Sequence, residues 1–148
     1  MVGHFLMKLY LSKLTLSCGV ALFGFLLSIP AKAQIKPDNT LPINSSVDTP
    51  TCTICTITGG SAEGINLFHS FSEFSVPTGG EATFDNLLTI KNIFSRVTGD
   101  LESNIDGVIR TNNASLVLMN PNGIVFRENA ELDINGSFLA TSASSINF

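Results

Sequence analysis

The chain carries only 8 lysines and arginines against 12 aspartates and glutamates, with two histidines and three cysteines. Each shortage removes a class of function. Without clustered cations there is no electrostatic footprint for nucleic acid or for an anionic membrane, since both are bound through groups of Lys and Arg. A Gly-rich phosphate loop, a nucleophile elbow and a metal-ligand cluster are all missing from the sequence, so no cofactor is expected. Long apolar runs are missing too, apart from one between Leu14 and Ile29, which is shorter than the ~20 residues a membrane-crossing helix needs.

That run lies behind Lys8 and Lys13 and ahead of Pro30-Ala31-Lys32-Ala33-Gln34, which puts small residues at −3 and −1 of a cut after Ala33. Residues 1–33 read as a cleavable signal peptide rather than a retained anchor. Lipidation is discounted, because Cys18 lies inside the run with Thr15 at the position where a leucine is wanted. Removing Lys8, Lys13 and Lys32 leaves 5 basic against 12 acidic groups, a formal charge of −7. The product is an acidic, exported, non-catalytic chain the size of one small domain.

Cys52 and Cys55 survive processing in Cys-Thr-Ile-Cys. In an oxidising compartment two such close thiols are candidates for a disulfide with each other. Free thiols come next. A zinc site would want two more ligands, and His69 is the only histidine left; a redox motif would want a strand-to-helix setting that the sequence does not offer.

Residues 34–61 hold Pro37, Pro42 and Pro50 among Asn, Ser, Thr and Asp and end in Thr58-Gly59-Gly60-Ser61. This reads as an extended leader or N-terminal cap with little core of its own. Beyond it the texture changes. Apolar clusters fall at Val108-Ile109, Leu116-Val117-Leu118, Ile124-Val125-Phe126, Leu132 with Ile134, and Phe138-Leu139. Between them lie Thr111-Asn112-Asn113, Asn120-Pro121-Asn122-Gly123, Glu128-Asn129-Ala130 and Asn135-Gly136, all turn formers. Such spacing suits short strands with tight corners in a sandwich, a barrel or a parallel solenoid. Corner composition favours the solenoid, with three strands and three turns per coil of roughly 22 to 25 residues. Asn at successive corners could then stack as a hydrogen-bonded ladder.

The segment from Asn66 to Val97 is ambiguous. Leu67, Phe71 and Phe74 fit i, i+4, i+7, as do Ile90, Phe94 and Val97, which is a helical spacing. Their Phe, Val and Thr content, and the breakers Pro77, Gly79 and Gly80, favour strand.

Three stretches, in this order behind a signal peptide, resemble the N-terminal domain of the filamentous haemagglutinin family, most of all its cyanobacterial branch. They are Asn66-Leu67-Phe68-His69-Ser70-Phe71, Asn92-Ile93-Phe94-Ser95-Arg96-Val97-Thr98-Gly99 and Asn120-Pro121-Asn122-Gly123-Ile124. The likeness runs from about residue 57 to residue 148. It implies an all-β, right-handed parallel β-helix, a three-sided solenoid over residues 62–148, with the Asn66 to Val97 segment as strands. It also implies the secretion domain of a two-partner secretion exoprotein. Such domains cross the inner membrane by the general secretory route and are recognised in the periplasm by the POTRA repeats of a dedicated outer-membrane β-barrel transporter. They then fold at the cell surface at the head of an adhesin. Delayed folding suits that task, because strands paired early could not pass a pore. A cell-surface or carbohydrate receptor would be met by a passenger region that this sequence does not contain.

By that resemblance the secretion motif is Asn120, Pro121, Asn122, Gly123 and Ile124, with a tight corner needed only for folding as the competing reading. The sequence departs from the family in lacking an earlier Asn-Pro-Asn-Leu motif; the nearest local equivalent is Asn104-Ile105-Asp106-Gly107. It also stops at Phe148 within a strand-like run, which reads as a solenoid truncated at its C-terminal end. Ile146 and Phe148 on an open coil would favour self-association.

Other chemistry is thin. His69 with Glu73 resembles an acid and base pair but arises readily by chance, and Glu81, Asp85, Asp100, Glu102 and Asp106 are scattered carboxylates that read as solvated faces. The alternative function, a β-helical polysaccharide-active enzyme, would need clustered carboxylates and basic groups along one face. Asn44, Asn113 and Asn135 begin Asn-x-Ser triplets, which a chain rich in Asn and Ser contains by chance.

Overall fold

Short runs in which apolar and polar residues alternate become strands with one inward and one outward face. The computed structural model describes residues 34–49 and 53–145, and within them the chain forms thirteen strands and no helix. These are β1 (Gln34–Pro37), β2 (Ser45–Val47), β3 (Ile54–Gly59), β4 (Ser61–Glu63), β5 (Asn66–Ser75), β6 (Glu81–Phe84) and β7 (Asn92–Val97). They continue with β8 (Ser103–Ile105), β9 (Val108–Thr111), β10 (Ser115–Met119), β11 (Ile124–Phe126), β12 (Glu131–Ile134) and β13 (Phe138–Thr141). The expected signal peptide, Cys52, and the terminal Ile146 and Phe148 lie outside the described residues.

Pairing follows a three-sided solenoid. One sheet runs β1-β5-β7-β10-β13 with β4 beside β5, a second runs β12-β9-β6-β3-β2, and the third is β11-β8, extended by a parallel bridge between Val76 and Ile105. Successive coils stack in parallel, as in β5 on β7, β7 on β10 and β10 on β13. The strand and turn assignments between Val108 and Leu139 are borne out as β9 to β13. Arg127 meets Asn104, and Arg110 meets Asp133, from 23 residues away, within the expected coil length. The first coil is longer. Asn92 meets Asn66 across 26 residues, and the excess lies in the loop 85–91 between β6 and β7.

Inward side chains of all three sheets make one core: Ile57 and Phe84, Phe71, Phe74 and Ile93, Ile105, Ile109, Leu116 and Leu118 are essentially inaccessible. The helical spacing of Leu67, Phe71 and Phe74 has a simple cause. β5 buries Leu67, His69 and Phe71 on the ordinary period of two, then bulges. Opposite it, Lys36 pairs with Glu73 and Pro37 with Phe71, so Ser72 is skipped. The extra residue shifts the pleat by one and turns Phe74 and Val76 inward. Phe94 faces outward in β7, stacked on Phe68 at 5.2 Å between ring centroids.

Corner asparagines connect the coils, largely through mixed side-chain and main-chain bonds. Asn112 donates to Asp85 at 3.4 Å, and Asn135 donates to the Asn112 carbonyl at 3.2 Å. Asn86 donates to Asn113 at 3.1 Å. The solenoid's N-terminal end is covered by strands of opposite sense, β1 antiparallel to β5 and β2 antiparallel to β3. This placement buries Ile35 and Ser45.

Candidate functional site

The motif Asn120 to Ile124 occupies the corner that joins β10 to β11. Pro at the second position of the turn presets φ and Gly at the fourth releases it, so the chain reverses in four residues, closed by a 3.0 Å bond from the Gly123 amide to the Asn120 carbonyl. Gly123 stands at φ 109°, a conformation that side chains rarely adopt.

Asn120 is fully buried. Its Nδ2 donates to the Leu101 carbonyl at 2.9 Å and to Ser103 Oγ at 3.0 Å, both on the preceding coil. Its Oδ1 accepts the Asn122 amide at 2.9 Å and Asn122 Nδ2 at 3.3 Å. The main chain completes the seat, with the Asn120 amide donating to the Thr141 carbonyl and the Ser103 amide donating to the Gly123 carbonyl, each at 3.0 Å. Pro121 and Asn122 stand in solvent, although Asn122 Nδ2 also donates to the Gly99 carbonyl at 2.7 Å. Ile124 turns back to pack on the core. Beside the corner opens a cleft of about 370 Å³, with Arg96, Thr98, Asp100, Pro121, Asn122 and Ala143 in its lining.

The same corner one coil earlier explains a glycine. A Cβ on Gly99 would lie 2.1 Å from the Ser72 carbonyl oxygen, so the coils can approach here only with hydrogen at that position. Ser72, Gly99 and Asn122 form a vertical column that carries the motif.

The other sequence candidates separate in space. Asn104 and Ile105 belong to β8 and Asp106-Gly107 to the next corner, away from the Asn120 corner. There Asn104 receives Arg127, and Asp106 receives Thr78 and Asn129, whose hydrogen bonds, Thr78 first, hold its carboxyl below the usual value. His69 points into the core, whereas Glu73 faces out toward Lys36 at 3.9 Å, so the two do not form an acid and base pair. Glu81 is engaged by Thr83 and Arg110, and those bonds hold its pKa low. Among the described residues no three His, Cys, Asp or Glu side chains are placed to hold a metal ion. Cys55 is buried in β3 and disulfide-bonded; Cys52, its expected partner, lies outside the described residues.

A second constellation was not legible in the sequence. Asp38, just after β1, accepts hydrogen bonds from Thr40 Oγ1 at 2.6 Å, Ser70 Oγ at 2.8 Å and Thr98 Oγ1 at 2.5 Å. Arg96 closes the ring by donating to Ser70 Oγ at 2.9 Å and Thr40 Oγ1 at 2.8 Å. Burial works to raise the Asp38 pKa, but the three hydroxyl donors outweigh it and the carboxyl stays below its usual value. These residues lie up to 60 positions apart, and no local pattern announces them.

No curated protein matches the chain. Its sequence does match the family model of the TPS secretion domain, TPS standing for two-partner secretion, over residues 33–148. With parallel coils, the expected motif at a coil corner and a match across the whole solenoid, the chain belongs to the TPS secretion domain family.

Proposed function

We propose that this domain is recognised at the Asn120 to Ile124 corner by the POTRA repeats of an outer-membrane two-partner transporter, and that this contact starts the export of a haemagglutinin-like surface adhesin. The family membership makes the chain part of a two-partner secretion exoprotein, exported with a dedicated transporter, and the family is not one of enzymes. The single observation that favours this corner is its division of labour. Asn120 is consumed by the fold, while Pro121 and Asn122 are held outside in a fixed geometry that a partner can read.

Residues 1–33 are the signal peptide in this reading, supported by the family match beginning where the apolar run and the small residues end. The chain passes through the periplasm before crossing the outer membrane. Cys52 is the partner of Cys55, closed in that oxidising space. Receptor binding belongs to the passenger region.

Binding of the full chain to the isolated periplasmic repeats of a cognate transporter, measured by calorimetry, tests the recognition step. Saturable binding that Pro121→Ala with Asn122→Ala weakens at least tenfold supports the corner as the contact. Equal binding of the variant assigns recognition elsewhere in the domain.

A further inference from the structure

Two consecutive residues of β5 hold the N-terminal cap to the first coil. Ser70 carries the Asp38 network, and its amide donates to Ser45 Oγ of β2 at 3.0 Å. His69 reaches the same hydroxyl, with Nδ1 at 3.0 Å from Ser45 Oγ. Its other ring nitrogen, Nε2, has no partner. The imidazole is 1 % exposed and packed between Phe71 and Phe84, with centroids 6.0 and 5.3 Å away. Gly60 closes the pocket, since a Cβ there would lie 3.0 Å from the ring and 2.6 Å from the Phe68 carbonyl oxygen.

This is a seat for a neutral imidazole only. With Nδ1–H donated to Ser45 Oγ, Nε2 is left as an unpartnered acceptor. A second proton would place an unpaired N–H and a full charge in the same apolar pocket. Nothing nearby compensates. On β5 itself Glu73 faces out to Lys36 of β1, and on β6 Glu81 is bound to Arg110. On β7 Arg96 lines the cavity beside the ring and is itself a cation, held by Ser70 and Thr40. Glu63 of β4 and Asp48 after β2 are exposed, β3 carries no charged residue, and Asp38 is occupied by Thr40, Ser70 and Thr98.

We propose that β1 and β2 form a releasable cap latched at His69, and that protonation of the imidazole opens this cap while the later coils stay folded. Release bares the edges of β5 in one sheet and β3 in another, the edges that β1 and β2 otherwise cover with antiparallel strands. Mild acid thus makes the N-terminal end of the solenoid available for strand pairing without dissolving its core. Burial lowers the His69 pKa from 6.5 to about 4. An opened cap that restores the ordinary value gains population roughly twenty-fold between pH 7 and pH 5.

Hydrogen exchange read by mass spectrometry on the full chain, corrected for intrinsic rates, tests this. Protection over residues 34–47 should fall roughly twenty-fold between pH 7 and pH 5 while β7 and β10 keep theirs, and His69→Gln or His69→Phe should remove that pH dependence. Ser45→Ala keeps the imidazole, so it should weaken the cap at every pH and retain the dependence. Loss of protection spread evenly over all strands, unchanged cap protection down to pH 5, or an unaltered pH response in the His69 variants would each overturn the latch.

Discussion

The Asn120 side chain is bonded to the Ser103 hydroxyl at 3.0 Å across one coil, and both residues are buried to the point of having no contact with solvent. An asparagine that looks like part of an exposed recognition motif is therefore the peg that fastens one coil to the next. In the reading proposed above, folding falls to Asn120 and recognition to Pro121 and Asn122, so the two explanations of the motif concern different residues within it.

Stability measurements should separate them. Asn120→Ala strands the Leu101 carbonyl, Ser103 Oγ and the Asn122 amide, and should cost about 3 kcal/mol given ~1–3 kcal/mol per buried group left unsatisfied. Asn122→Ala removes solvent-accessible bonds and should cost under ~1 kcal/mol. Urea midpoints of the two variants provide the comparison, and equal losses would mean that Asn122 is also a structural peg.

Two glycines, Gly99 of the corner column and Gly123 of the motif, predict unequal costs. Gly99→Ala drives a methyl into the Ser72 carbonyl oxygen, a backbone atom of the preceding coil, and should cost at least ~3 kcal/mol. Gly123→Ala meets nothing within 4 Å, so only its positive φ is strained and the loss should be ~1–2 kcal/mol. Thermal unfolding of both variants checks the order.

The coils after Val108 could be read from the sequence because every strand there is built on a short apolar cluster, and Asn or Gly marks each corner. The first coil hid itself for identifiable reasons. The bulge at Ser72 gives β5 a mixed period that imitates a helix, and Ile90 is buried from the loop before β7 rather than from a strand. The cap was obscured by a polar attachment whose members are brought together only by the fold: Asp38 with Thr98, Ser45 with His69. At the candidate site, turn chemistry placed the corner correctly, but inward or outward placement of Asn120 depends on the neighbouring coil.

Acid should destabilise the domain in two separate windows. His69 has a lowered folded value, so between pH 6.5 and about 4 the unfolded chain takes a proton that the folded chain refuses. Its contribution is complete above 6.5 and declines as the pH falls to about 4, by about 2–3 kcal/mol at ~1.4 kcal/mol per unit. The lowered carboxyls of Asp38, Glu81 and Asp106 act further down: their contribution is present above the ordinary carboxylate range and is lost as the pH falls through their folded values. Urea midpoints at pH 8, 5 and 3 should show both losses in the wild type, and only the second in His69→Phe.

Core and loop apolar residues offer a contrast of burial. Phe84, inaccessible and stacked near Phe74 at 6.0 Å, should cost about 3–5 kcal/mol on replacement by Ala. Leu87 and Leu88, 75 % and 76 % exposed in the first-coil loop, should cost under ~0.5 kcal/mol when replaced by Ser. Denaturation with a single probe across these variants is sufficient.

The most direct measurement is export itself. The full chain, co-expressed with its two-partner transporter in a Gram-negative host, should appear in the medium only when the transporter is present. Pro121→Ala with Asn122→Ala should leave it in the periplasm while its purified form keeps the wild-type fold with only a small fall in urea midpoint. Undiminished export of that variant would contradict recognition at the Asn120 to Ile124 corner.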